Sequence, residues 1–146
     1  MSKINFKVVT PEKVIYENAE LDQITVPTTT GEITILPNHI PLVTLINAGE
    51  LLFKDKTGDH HFAVAGGFLE VKENNEVVLL ADNAESATDI DLLRAEQAIA
   101  KAQQQMSELK NKEDVDYTRL QAVIDRETNR MRVGKKYKHL PKPKEE

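Results

Sequence analysis

The spacing of apolar residues changes near residue 89, and this change constrains the fold more than any other feature of the sequence. Before it, apolar residues form short runs or alternate with polar ones, as in Ile4, Phe6 and Val8. After it, they recur every three or four residues: Leu92, Ala95, Ile99, Ala102, Met106 and Leu109. A period of two is typical of strands, and spacings of three and four are typical of an amphipathic helix. The sequence therefore predicts strands first and helices afterwards.

The first 82 residues contain about nine short strand candidates separated by turn-forming residues. One of these breaks is Gly66-Gly67, which we expect to separate a strand at 61–65 from another at 68–72. A parallel sheet would need intervening helices as crossovers, and this segment has no room for any. We therefore predict an all-β domain over residues 1–86, built as a compact antiparallel sandwich or barrel.

A second helical pattern follows residue 114. Its apolar face consists of Tyr117, Leu120, Ile124 and Met131. Thr88 and Asp89 are the N-cap candidates of the first helix, and Gly134 is placed to end the second. The connection is short, so residues 87–134 should form an antiparallel helical hairpin. We expect residues 135–146 to be a disordered basic tail.

Charge is distributed unevenly along the chain, whose formal net charge is −5. Residues 1–88 carry 13 acidic residues, six lysines and no arginine. Residues 117–144 carry nine basic residues and only two acidic ones. We therefore expect the two parts to have different partners, with an acidic surface for the C-terminal part.

Several kinds of chemistry lack the residues they need. The chain has no cysteine, which excludes a disulfide framework, a thiolate metal site and a cysteine nucleophile. It has no glycine-rich phosphate loop, no dinucleotide-binding glycine motif and no hydrolase nucleophile motif. Its four histidines show no metal-ligand spacing, and no leader or long apolar run opens the chain. We therefore expect neither catalysis, nor a metal, nor secretion, nor a membrane span.

The arginines suggest a binding site. Arg126 and Arg130 lie four residues apart on one helical face, and a closed hairpin would bring them towards Arg94. Planar guanidinium groups suit a polyphosphate, since each can bind two anionic oxygens. Asp91 would then accept a hydrogen bond from the base or ribose. The alternative is salt bridging within the hairpin, of Asp91 with Arg94 or of Arg126 and Arg130 with Glu127, which the residues alone favour.

Four motifs, in the same order, resemble those of the epsilon subunits of bacterial F-type ATP synthases. They are the opening strand at residues 6–12, the GEITILPNH segment at 31–39, the GGFLEV segment at 66–71 and the LADNAE segment at 80–85. The resemblance extends from residue 3 to about residue 134. It implies a ten-stranded sandwich followed by two helices, in agreement with the strand-then-helix pattern.

The resemblance also implies a function. The protein would be a non-catalytic rotor subunit in the central stalk of a proton-translocating synthase, needing no cofactor. Its sandwich would bind the gamma subunit and the ring of c subunits, and Glu32 and His39 match positions on the loops that face them. Its mobile hairpin would regulate or inhibit ATP hydrolysis by reaching the alpha and beta subunits. It would lie at the cytoplasmic face of the bacterial cell membrane, peripheral through the complex, and would bind no nucleic acid.

Some members of this family bind ATP through an (Ile/Leu)-Asp-x-x-Arg-Ala motif, which this sequence contains. The resemblance assigns ATP binding to Glu85, Ile90, Asp91, Arg94, Ala95, Lys101, Arg126 and Arg130, and thereby favours ATP as a regulatory ligand over the salt-bridge interpretation. Two positions depart from the family pattern. Lys101 stands where members that bind well have arginine, so we expect weaker binding. Thr34 stands where glycine is common, so a positive-φ turn there would be strained.

One alternative function, of a different class from a rotor subunit, stays open. The chain would then be a free-standing nucleotide-binding sensor that acts outside any synthase. Co-purification with a gamma subunit and a membrane ring separates this alternative from the rotor subunit.

Overall fold

The computed structural model describes residues 2–109 and 115–138 of the 146-residue chain. Within these ranges it contains eight strands, a 3₁₀ turn and two helices. The strands are β1 (Ile4–Val9), β2 (Val14–Leu21), β3 (Gln23–Thr28), β4 (Gly31–Ile35), β5 (Leu42–Leu45), β6 (Gly49–Asp55), β7 (Gly58–Val71) and β8 (Glu76–Ser86). The 3₁₀ turn is Ala87–Asp89, and the helices are α1 (Leu92–Ser107) and α2 (Val115–Lys136). The chain divides into two compact units, Met1–Ser86 and Ala87–Glu146. The predicted fold class, a sandwich followed by a helical hairpin, is confirmed.

The strands follow the order β2-β1-β8-β7-β6-β3-β4, and β5 pairs with β7 beside this path. The sheet folds over itself, because Tyr16 of β2 and Phe53 of β6 are far apart in this order but have ring centroids 4.5 Å apart. Alternate residues of β1, Ile4, Phe6 and Val8, are buried in the resulting core, as their period predicts. Each fully buried large apolar side chain contributes about 1.5–3 kcal/mol to folding.

One strand pairing contradicts the prediction of a purely antiparallel domain. β1 and β8 pair in parallel, with Asn5 opposite Glu76 and Val9 opposite Leu80. The long crossover that a parallel pair requires is present, but it consists of the six intervening strands rather than a helix. The short-segment argument excluded only helical crossovers and therefore missed this solution.

The described residues contain one strand fewer than the nine or so candidates, because two of these candidates form one strand; the ten strands that the resemblance implies are not reached. Gly66-Gly67 does not end a strand but lies inside β7, whose register against β8 is the same on both sides of the pair. Both glycines have positive φ, +67° and +106°. A Cβ atom on Gly67 would lie 1.9 Å from the carbonyl oxygen of Leu80. The glycines therefore permit a change of backbone direction and a close approach within a continuous strand.

A polar network lies beside the aromatic core. Asp55 accepts a hydrogen bond from the backbone N–H of Thr57 at 2.7 Å, and its other oxygen lies 3.0 Å from His60 Nε2. Burial raises the pKa of Asp55, but the bonds from Thr57 and His60 outweigh burial and leave that pKa below its ordinary value. Burial raises the pKa of the neighbouring Tyr16 hydroxyl, although a hydrogen bond from Asn18 opposes the rise. These groups connect β2, β6 and β7 at one end of the sandwich.

The helical hairpin is present, and α1 and α2 pack along a shared seam. On α1 the seam consists of Leu92, Ala95, Ile99, Ala102 and Met106, all buried or half-buried. On α2 it consists of Leu120, Ile124, Glu127, Met131 and Gly134, also buried or half-buried. Both sets recur every three or four residues, which is the spacing of a packed helical face.

The predicted N-cap of α1 and the predicted end of α2 were both wrong, for identifiable reasons. Thr88 and Asp89 form a 3₁₀ turn, and the N-cap of α1 is Asp91 instead. Gly134 does not end α2, which continues to Lys136 and so includes the first two residues of the predicted tail. A Cβ atom on Gly134 would lie 2.8 Å from Leu92 Cδ2, so this glycine permits close packing of the two helices. Residues 139–146 of the tail lie outside the described residues.

Candidate functional site

The predicted nucleotide motif lies at the start of α1, where most of it has a structural role. Asp91 Oδ1 accepts a hydrogen bond from the backbone N–H of Arg94 at 3.0 Å, which is an N-cap rather than the side-chain salt bridge of the alternative interpretation. Ile90 contacts Gly134 near the end of α2, and Ala95 is fully buried in the seam. Folding of the hairpin therefore accounts for three of the four motif residues. The exposed guanidinium of Arg94 is the part that folding does not require.

The two α2 arginines lie on either side of a buried carboxylate. Arg130 Nη1 lies 2.6 Å from Glu127 Oε2, and Arg126 Nη2 lies 3.4 Å from Glu127 Oε1. Glu127 is only 5% exposed. This part of the salt-bridge interpretation is therefore present in the structure. It does not exclude anion binding, because the Arg126 side chain keeps 38% of its surface accessible.

Four cations lie at two levels of the hairpin. The helices are antiparallel and Gly134 contacts Leu92, so heights along both can be counted from that contact. At 1.5 Å per residue, Arg94 lies about 3 Å and Arg130 about 6 Å from it. On the same scale, Lys101 lies about 14 Å and Arg126 about 12 Å from it. Arg94 therefore matches Arg130 in height, and Lys101 matches Arg126.

The same four cations lie on one side of the hairpin. Each directly precedes a seam residue: Ala95, Ala102, Glu127 or Met131. In an antiparallel pair, the flank that precedes the seam on one helix lies on the same side as the corresponding flank of the other. We call Arg94, Lys101, Arg126 and Arg130 the cation cluster. Such a cluster suits a ligand with several phosphate oxygens.

The other predicted site residues, Glu85, Glu32 and His39, differ in the element that holds them and in their exposure. Glu85 lies in β8 of the first unit, opposite Ala63, and is half-buried. Glu32 is exposed, but it belongs to β4 rather than to a loop. His39 lies in a loop as expected, yet it is half-buried, and its Nδ1 lies 2.6 Å from the carbonyl oxygen of Ile40. Of the two residues expected on loops, His39 therefore lies on one and Glu32 does not.

The expected strain at Thr34 is absent. Thr34 lies in regular β4 opposite Thr25, and the two hydroxyl oxygens are 2.9 Å apart. It is not among the positive-φ residues of the described ranges. The threonine hydroxyl instead supplies a partner for the buried Thr25, so this departure from the family pattern is compatible with the strand.

Sequence patterns did not show a row of apolar side chains that crosses five strands. In strand order its members are Leu45, Phe68, Leu80, Val9 and Val14, each paired with the next. Four of them are exposed, with Leu45 at 61% and Phe68 at 41%, and Val9 is half-buried. We call this set the apolar row. Only the strand register brings these residues together, and a continuous exposed apolar surface is typical of a protein interface.

A shallow depression lies along the apolar row. It has a volume of about 290 Å³, and its lining includes Val9, Phe68 and Leu80 of the row together with Pro11 and Asp82. No helix in the described part of the chain is long and apolar enough to cross a membrane.

Family models match almost the whole chain. The beta-sandwich domain of the ATP synthase Delta/Epsilon chain matches residues 3–87, and its long alpha-helix domain matches residues 88–135. The chain belongs to the ATP synthase Delta/Epsilon chain family. The boundary between the two family domains falls within two residues of the division seen in the structure.

Curated relatives agree with this membership, and a solved structure shares the fold. The ATP synthase epsilon chain of Nitratidesulfovibrio vulgaris is 39% identical over 130 residues, covering 89% of this chain and 94% of that protein. The epsilon chain of Halalkalibacterium halodurans is 38% identical over 134 residues, covering 92% and 98%. A chain of the Euglena gracilis mitochondrial ATP synthase has the same fold, with a TM-score of 0.73 at 18% identity, over 88% of this chain and 79% of that one. The predicted family is confirmed, and with it the assignment to a non-catalytic subunit.

Proposed function

We propose that this epsilon-family chain works as a rotor subunit of a proton-translocating F-type ATP synthase. Its sandwich joins the gamma subunit to the ring of c subunits, and its hairpin regulates ATP hydrolysis in response to ATP. The observation that carries the rotor role is the apolar row, since Leu45, Phe68 and Leu80 are exposed side by side on the sandwich. A surface of this kind needs a protein partner to remove it from water.

The gamma subunit is the partner proposed for the apolar row. Leu45 tests this assignment best, because it is 61% exposed and its substitution leaves the core of the sandwich intact. Leu45→Asp should abolish co-purification of gamma with this chain, because a carboxylate that is buried in an apolar interface has no partner there. Leu93→Asp is the matched control, since Leu93 is 65% exposed on α1, outside the sandwich. Retention of gamma by Leu45→Asp would contradict the assignment.

The ring contact and the location follow from the same proposal. Glu32 and His39 lie on segments that match the loops facing the ring and gamma, so substituting Glu32 should impair coupling more than folding. The chain would then be held at the cytoplasmic face of the bacterial membrane through the complex. The basic α2 would meet acidic surfaces of the alpha and beta subunits when the hairpin extends, and this contact should weaken as salt rises.

ATP sensing is the regulatory part of the proposal. ATP can shift the hairpin only if it binds the closed form better than the extended one. The cation cluster exists as a two-level set only while α1 and α2 are packed antiparallel. Binding of the phosphates there would therefore favour the closed, non-inhibitory form.

Calorimetric titration of ATP into the isolated subunit tests this site. Arg126→Ala should weaken binding about ten- to a hundredfold, the value of one lost charge-assisted contact. Arg119→Ala is the control, since Arg119 lies on the same helix, is 71% exposed and pairs with Asp116 outside the cluster. Equal dissociation constants for Arg126→Ala and the unaltered chain would mean that Arg126 does not bind ATP and only forms salt bridges within the hairpin.

A free-standing nucleotide sensor remains the second candidate, supported by the cation cluster alone. It leaves the apolar row without a role. The gamma co-purification experiment decides between the two.

A further inference from the structure

A carboxylate interrupts the apolar seam of α2. The seam positions before and after it are Ile124 and Met131, and the α1 seam opposite is entirely apolar. Glu127 is nevertheless 5% exposed. A buried carboxylate is costly unless cations and hydrogen-bond donors satisfy it. Its presence at a position suited to leucine or methionine therefore requires an explanation.

The cations that satisfy Glu127 come from the cation cluster. Each carboxylate oxygen faces one guanidinium, Oε1 that of Arg126 at 3.4 Å and Oε2 that of Arg130 at 2.6 Å. These two arginines are also half of the proposed phosphate-binding set. A phosphate group that approaches them meets guanidinium groups whose charge is already partly neutralised.

We propose that Glu127 is an internal counter-ion that competes with phosphate oxygens for Arg126 and Arg130 and thereby sets the ATP affinity of the hairpin. This inference rests on the proposed nucleotide site. Bound phosphates must either displace the carboxylate from the two arginines or share them with it at the cost of like-charge repulsion. Both routes weaken binding relative to a hairpin that lacks the charge at position 127.

The same contact has a structural effect in the absence of ATP. The Glu127 carboxylate is paired with both Arg126 and Arg130 without a bound anion, so the closed hairpin does not need ATP to balance their charges. ATP would then act as a ligand of low affinity, responsive when its concentration is high.

The test is titration of ATP into the full-length subunit at fixed ionic strength, comparing the unaltered chain with Glu127→Gln. The glutamine keeps the shape of the side chain and removes its charge, so the dissociation constant should fall about tenfold or more. Asp125→Asn is the matched control. Asp125 lies in the same turn of α2 but is exposed and bonded to Gln121, so it should change the constant less than about threefold.

Two further measurements narrow the explanation. Glu127→Gln should increase the affinity for inorganic tripolyphosphate as much as it increases the affinity for ATP, because the ion pairs of this carboxylate are with the arginines that would hold the phosphates. Glu127→Met, whose side chain suits the apolar seam, should also tighten ATP binding, so it serves as a second variant if Glu127→Gln packs badly. Far-ultraviolet circular dichroism reports whether each variant keeps its helix content.

The outcomes separate this inference from the function on which it rests. Tighter ATP binding by both position-127 variants, with little effect of Asp125→Asn, supports the competition. The same holds if these two variants bind ATP measurably and the unaltered chain does not. ATP binding that is unchanged or weakened by both variants, while Arg126→Ala still weakens it, overturns the competition and leaves the nucleotide site. An equal increase in ATP affinity from Asp125→Asn also overturns the competition, because the increase then comes from the lower net negative charge of the chain and not from position 127. Absence of binding by every variant overturns both.

Discussion

Gly67 is the residue whose substitution should test the geometry of the sandwich most severely. It lies inside β7 with a φ of +106° and pairs with Ala81 of β8. A Cβ atom there would lie 1.9 Å from the carbonyl oxygen of Leu80 and 2.9 Å from Ala81 Cα. Both neighbours are backbone atoms of the adjacent strand, so they cannot move aside as a flexible side chain would.

Two costs add in Gly67→Ala. Holding a non-glycine residue at this φ costs about 1–3 kcal/mol. Forcing a methyl group into a closed space costs about 1–3 kcal/mol more through displacement of the β7–β8 pairing. The sum, about 2–6 kcal/mol, is a large part of the 5–15 kcal/mol that is typical of a whole domain.

Gly58→Ala isolates the second cost. Gly58 has φ +124°, similar to that of Gly67, but its Cβ would meet no atom within 4 Å. It should therefore lose only the conformational part, about 1–3 kcal/mol. Urea denaturation followed by circular dichroism gives both free energies of unfolding. If the two variants lose the same free energy within about 0.5 kcal/mol, close approach to β8 is not what requires glycine at 67.

Three other predictions concern acid stability, the ATP site and the division between the units. Since the pKa of Asp55 in the folded chain lies below its ordinary value, ionised Asp55 stabilises the fold at neutral pH, and this stabilisation is lost as pH falls through the folded pKa. In urea titrations Asp55→Asn should therefore be less stable than the unaltered chain at pH 7, and the difference should shrink below about pH 4. Lys101→Arg should tighten ATP binding in calorimetry, because guanidinium can bind two phosphate oxygens, and a decrease in affinity would place Lys101 outside the site. A chain ending at Asp89 keeps all eight strands and should still bind gamma in co-purification while losing regulation of ATP hydrolysis; failure to bind gamma would contradict the division of roles.

The sequence predicted the fold class because hydrophobic period is a local property that burial enforces. It could not distinguish the two uses of a Gly-Gly pair. Gly66-Gly67 has the composition of a turn, yet β8 runs past it in constant register and makes it part of a strand. The parallel β1–β8 pair was missed for a related reason, since local patterns do not report which strands become neighbours.

The candidate site was predictable to a similar degree. Spacing placed Arg126 and Arg130 on one face of α2, and in the structure both pair with the carboxylate of Glu127. The capping role of Asp91 and the contact of Ile90 with Gly134 required the helix boundary and the packing of the hairpin. The apolar row depended on five strand registers together, and no spacing along the chain encodes it.

The parallel pairing of β1 with β8 has a consequence for synthesis on the ribosome. Of the eight described strands, β1 is made first, and its neighbours in the sheet are β2, which follows at once, and β8, the last of the eight. The β1–β2 hairpin must therefore wait, with one strand edge unpaired, until the ribosome has released the segment through Ser86. Pairing over such a separation closes a long loop, which makes it slow relative to local contacts. The sandwich should accordingly become protease-resistant in one late step on nascent chains of increasing length, and only after β8 has left the exit tunnel.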